Sequence, residues 1–138
     1  MSAMTSTLKI LVVEDNAMNQ DIIVRQLRRI GFADIAVACN GAEALAWLTK
    51  NECSILLTDC QMPVMDGYEL TRRIRQTEAA CQARLHIVAL SASTMEEDRT
   101  RCFEVGMDGH ISKPTQINDL RVALHRWLPG DSVPQKNC

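Results

Sequence analysis

Four places in the chain carry residue types that could act together on a phosphoryl group. They are the acidic pair Glu14-Asp15, the aspartate that ends the apolar run ILLTD at Asp59, the hydroxyl of Ser91, and Lys113 in the tripeptide SKP. Carboxylates held close together repel, and all three stay ionised comfortably only with a cation among them. A small cluster of hard oxygens suits Mg²⁺, which binds through one or two carboxylates, several waters and phosphate oxygens. In such a pocket Asp59 would attack phosphorus in line, while Lys113 and Ser91 hold the equatorial oxygens. The product would be an aspartyl phosphate.

For that chemistry, residues up to about a hundred positions apart must meet on one rim, so the elements between them decide the matter. Apolar runs of β type fall at 8–13 (LKILVV), 34–38 (DIAVA), 54–58 (SILLT) and 86–90 (HIVAL), with a weaker run at 109–112. Helical periods lie between and after them, at 17–30, 41–50, 67–76, 94–105 and 116–127. Gly31 and Gly106 stand where helix C-caps belong, and Pro114 bars a helix from starting earlier. This strict alternation predicts an α/β fold, with a doubly wound parallel sheet of five strands covered by helices on both faces. Each reactive residue then falls at the carboxyl end of a strand, where open sheets of this kind bind ligands.

Composition removes several other functions. At 138 residues the chain is read as one domain over 8–128, with short tails at 1–7 and 129–138, and it can bury a core without disulfides or structural zinc. A net charge of −2, a pI near 5.9 and 4% aromatic residues give no footing for nucleic acid or an anionic membrane. The basic cluster RRIR at 72–75 reads as a solvated helix face. Cys39, Cys53, Cys60, Cys81, Cys102 and Cys138 show no CxxC spacing and read as reduced thiols, Cys53 and Cys102 in the core. No apolar run reaches the roughly 20 residues of a membrane span. Asp66 reads as turn and cap chemistry, Met62 and Met65 as loop packing, and Trp47 and Trp127 as helix cover. The expected setting is cytoplasmic, with no membrane contact by this domain, though it could be the cytoplasmic part of a membrane-anchored sensor.

The motifs LKILVVEDN, LTDCQMPVMDG, ALSAS and HISKP, in that order, resemble the receiver domain of two-component response regulators over almost the whole chain. The resemblance implies a flavodoxin-like (βα)5 fold with strand order 2-1-3-4-5. It implies that Asp59 is the phosphoacceptor, that Glu14, Asp15, Asp59 and the backbone carbonyl of Gln61 hold Mg²⁺, and that Lys113 contacts the phosphate. Ser91 is similar to the family's switch hydroxyl, and Lys113-Pro114 to a peptide bond the family holds cis. Phosphorylation and dephosphorylation would then be self-catalysed, and the phosphoryl would bias the surface of the fourth helix, fifth strand and fifth helix. One position departs from the pattern: His110, three residues before the lysine, stands where the family usually carries Tyr or Phe. It is either a switch residue or a partly exposed histidine without that role.

VVEDNAMNQ and DCQMPVMDGYE are most similar to receivers of hybrid sensor histidine kinases, so excision from such a kinase is the expected origin. The alternatives are a stand-alone regulator and a degenerate receiver that serves only as an interaction module. Two other classes fit less well. A phosphatase of the aspartyl-phosphate type needs a second acid where this chain has Gln61, and a nucleotide site needs glycines that EDNAMN lacks. The implied partner is a histidine kinase or histidine-phosphotransfer domain, and the isolated domain is expected to be monomeric. In the first helix, Ile23, Leu27 and Ile30 share one stripe, which turns Met18 and Ile22 outward with Arg25 and Arg29 behind them. That flank is the expected docking site, unless Met18 and Ile22 pack beneath a neighbour.

Overall fold

Runs of Val, Ile and Leu long enough to be buried on both faces need partners on both edges, and the five strands supply them for one another. The computed structural model describes residues 9–51, 53–62, 64–81, 85–91 and 96–125. In chain order its elements are β1 (Lys9–Val13), α1 (Ala17–Ile30), β2 (Asp34–Ala38), α2 (Gly41–Leu48), β3 (Ile55–Asp59), α3 (Gly67–Cys81), β4 (His86–Ser91), α4 (Glu96–Glu104), β5 (Gly109–Ser112) and α5 (Ile117–His125). All sheet pairings are parallel, in the order β2-β1-β3-β4-β5. The expected fold class and strand order are therefore those observed. Pro63, Trp127 and both expected tails lie outside the described residues.

Alternate side chains of each strand serve opposite faces of the sheet, as the twofold period requires. Ile10 and Val12 of β1 pack with Ile23 and Leu27 of α1 and with Leu120 and Leu124 of α5. Leu11 and Val13 pack instead with Ala44 of α2, Leu70 and Ile74 of α3, and Cys102 of α4. Burying one such Leu or Ile fully is worth roughly 1.5–3 kcal/mol. These two layers hold the strand ends rigid.

The element ends refine the expectations where they matter for the site. β3 runs to Asp59 itself, in register with Leu90 of β4, so the carboxylate sits on the last paired residue of a central strand. α1 is capped by Asn16, whose Oδ1 accepts from the Asn19 amide at 3.0 Å. Glu14 and Asp15 are thereby released from capping. α3 continues past the expected Gln76 to Cys81, because Thr-Glu-Ala-Ala-Cys prolongs the helix after its apolar stripe has ended. α2 stops at Leu48, where Thr49 Oγ1 and Asn51 Nδ2 donate to the carbonyls of Ala46 and Trp47.

RRIR divides more sharply than expected. Arg72 and Arg73 are exposed and pair with Glu69, but Arg75 is largely buried. Its guanidinium donates to Gly106 O at 2.9 Å, Leu85 O at 2.7 Å and Asp108 Oδ2 at 2.8 Å. The same Asp108 oxygen accepts the Ile87 amide at 2.9 Å. One turn of helix separates a solvated arginine from one that joins α3 to the start of β4 and β5. Cys53 is also only partly buried at the edge of the core.

Candidate functional site: an acidic pocket at the strand ends

β1 has β2 on one side and β3 on the other, so the strand order reverses across it. At this switch point Val13 leads into Glu14 and Asp15, while β3 delivers Asp59 beside them. Glu14 is 1% exposed and Asp59 8%, whereas Asp15 faces solvent. One carboxylate oxygen from each of the three lies within 4.8 Å of the others. A hard divalent cation fits this all-oxygen set, with the exposed side at Asp15 open to water and an incoming oxyanion.

Positive charge reaches the same pocket from the other end of the chain. Lys113 Nζ stands 2.7 Å from Glu14 Oε1 and 3.0 Å from Asp59 Oδ2. Burial works to lower the lysine's pKa, but its hydrogen bonds to Glu14 and then Asp59 outweigh it and hold it above its ordinary value. The lysine is fully charged at neutral pH. The Lys113 amide donates to Ser91 O at 2.8 Å, and Ser91 pairs with Ser112 across β4 and β5. This ties the hydroxyl-bearing strand end to the lysine. The Lys113-Pro114 bond is cis.

Backbone donors and a lack of space fix the Asp59 carboxylate. Asp59 Oδ1 accepts the Gln61 amide at 3.3 Å, and Thr58 Oγ1 donates to Asp59 O at 3.0 Å. The Cys60 amide donates to Leu90 O at 3.1 Å and the Gly67 amide to Cys60 O at 3.0 Å, folding the loop back beneath the strand end. A side chain at Gly67 would collide with the Asp59 carbonyl. Asp66 Oδ1 accepts the Glu69 amide at 2.9 Å, the expected cap of α3. Met62 and Met65 pack against the core as expected for loop residues. Glu14 has helpers that no motif pointed to: Asn16 N and Asn19 Nδ2 donate to its Oε2 at 3.2 and 3.5 Å, and Gln20 Nε2 reaches its carbonyl. Their signal was the run of amides after the acidic pair, legible only once α1 turns them back over β1.

The remaining expected residues are Met18, Ile22 and His110. Met18 is 73% exposed and Ile22 42%, on a flank of α1 turned away from the buried Leu27. Ile22 lines a cleft of about 300 Å³ with Asn19, Ile23, Lys113, Pro114 and Thr115, so the apolar spot adjoins the lysine directly. His110 lies on β5 beside Ala89 of β4. It lines a separate cleft of about 500 Å³ that also includes Phe103, Asp119 and Val122.

Residues 10–125 match the response regulator receiver domain. The chain belongs to the response regulator receiver family. Among relatives, this receiver is 41% identical over 122 residues to the hybrid signal transduction protein dokA of Dictyostelium discoideum, covering 88% of the chain and 7% of that protein. It spans between 4% and 12% of the length of the hybrid and sensor kinases it matches. Among solved structures it resembles the receiver domain of the sensor histidine kinase PA1611 from Pseudomonas aeruginosa PAO1, which has a magnesium ion in its active-site cleft. The TM-score is 0.78 at 35% identity, covering 89% of this chain and 98% of that one. It also resembles the Saccharomyces cerevisiae Ssk1 receiver domain co-crystallised with the histidine phosphotransfer protein Ypd1. There the TM-score is 0.83 at 28% identity, covering 90% of each chain.

Proposed function

We propose that this receiver accepts a phosphoryl group on Asp59 from a phosphohistidine of a partner protein, in a phosphorelay attached to a hybrid sensor histidine kinase. The observation that carries the proposal is the convergence of Lys113 and three carboxylates on the last paired residue of β3. Asp59 Oδ attacks phosphorus as the N–P bond of the donor imidazole breaks, and the imidazole leaves with the electron pair. The Lys113 ammonium neutralises charge on the phosphoryl oxygens, and the Ser91 hydroxyl moves toward one of them. Glu14, Asp15, Asp59 and the Gln61 carbonyl would hold Mg²⁺, which supplies charge neutralisation for a dianionic group. A relative named as a hybrid signal transduction histidine kinase, and a relative with magnesium in its cleft, support this reading.

The donor docks on α1, where Met18 and Ile22 present an apolar spot beside the pocket and Arg25 and Arg29 continue the exposed flank. A related receiver bound to a histidine phosphotransfer protein supports a partner of that kind. Occupation of Asp59 by phosphate draws Ser91 inward and shifts α4, β5 and α5, with His110 taking part from β5. The free thiols suit a reducing compartment, the cytoplasm, where the domain acts as a monomer.

The test is intact mass after incubation with Mg²⁺ and a small phosphodonor. One added phosphoryl is expected on the native chain and none on Asp59→Asn, which keeps the side-chain volume but removes the nucleophile. Equal labelling of the two proteins overturns the assignment.

A further inference from the structure

The residue after the acceptor is a cysteine, and the fold brings a second one to it. Cys60 Sγ and Cys102 Sγ are 3.7 Å apart, although 42 residues separate them in sequence. The two residues are 2% and 0% exposed. We propose that Cys60 and Cys102 form a redox site, closed by a hydroperoxide into a reversible disulfide that ties α4 to the strand end carrying Asp59.

The two halves of the bridge have different anchors. Cys60 is held by backbone hydrogen bonds to Leu90 of β4 and Gly67 of α3, so it moves with the sheet. Cys102 belongs to α4, whose neighbouring Arg101 guanidinium lies 4.1 Å from the centre of the buried Tyr68 ring in the first turn of α3. α4 therefore rests on the first turn of α3 at this point. A disulfide would close the gap from 3.7 Å to a bond of about 2.05 Å and replace a sliding contact with a covalent one.

The chemistry balances with a hydroperoxide as oxidant. One sulfur attacks the peroxide oxygen, giving a sulfenic acid and releasing water or an alcohol. The second sulfur then displaces the sulfenic oxygen as water, and two electrons have passed from the thiols to the O–O bond. Both sulfurs are buried, so oxidation is slow while α4 is packed and follows its transient opening. The consequence for signalling rests on the proposed function: a tied α4 could not respond to a phosphoryl on Asp59.

The deciding experiment treats the whole chain with hydrogen peroxide and maps it by non-reducing peptide mass spectrometry. The expected result is a linked pair of peptides containing Cys60 and Cys102, with loss of two hydrogens, reversed by dithiothreitol and absent from Cys60→Ser and Cys102→Ser. The inference is overturned if both remain thiols at peroxide doses that oxidise the exposed Cys39, or if they link to other cysteines instead. The wild-type map decides this even where a serine variant folds poorly. The map is independent of phosphorylation, so its outcome is separate from the Asp59→Asn mass test.

Discussion

Lys113 Nζ lies 3.0 Å from Asp59 Oδ2, across 54 residues of sequence, and in the same geometry reaches Glu14 at 2.7 Å. One ammonium thus serves the two buried carboxylates of the pocket. Lys113→Ala leaves both acids facing each other without a cation, at a cost of about 2 kcal/mol in a metal chelator. Added Mg²⁺ recovers much of that loss, since a ligand that binds only the folded state stabilises it. Labelling by a small phosphodonor should slow about 100-fold, the scale for losing one charge-stabilising donor. Urea midpoints and labelling rates check both effects, and unchanged values would make Lys113 only a surface lysine.

Ile22 is 42% exposed beside the lysine cleft, so replacing it should cost the fold little. Ile22→Asp is expected to change stability by about 0.5 kcal/mol or less. Transfer from a cognate phosphohistidine protein should fall at least about tenfold, as for the loss of an interface anchor, while a small donor labels normally. Equal slowing with both donors would return Ile22 to the core.

Gly67→Ala tests the packing beneath Asp59. The added methyl meets the Asp59 carbonyl and the Cys60 backbone, neither of which can swing away as a side chain could. A destabilisation of about 2 kcal/mol is expected from overpacking. Slower labelling of Asp59 should accompany it, because the strand end itself must move. Normal rates in the folded variant would show that the loop yields without disturbing the carboxylate.

Alkaline pH should weaken the fold through three groups whose pKa values rise on folding. Burial pushes Cys53 from its ordinary 9.0 to about 12, Cys60 moves upward through its hydrogen bond with Cys102, and Lys113 is raised by its carboxylates despite burial. In each case the folded chain keeps a proton that the unfolded chain gives up. Stability therefore falls as pH climbs from about 9 toward 12. The urea midpoint should be lower at pH 10.5 than at pH 8, and equal midpoints would contradict these shifts.

Local pattern alone determined the alternation of strands and helices, the parallel sheet, and the fall of Glu14, Asp15, Asp59, Ser91 and Lys113 at strand ends. Those features depend on periods of two and 3.6 residues and on punctuation by Gly and Pro, all written within a few neighbouring positions. The outward turn of Met18 and Ile22 followed from the same period. Tertiary structure decided what the pattern left equal. It let Arg75 reach Asp108, 33 residues away, while Arg72 and Arg73 stayed in solvent. It also brought Cys60 against Cys102. Each of those outcomes is a contact between elements whose separation in space is set by sheet register and helix packing, and no local window of sequence contains both partners.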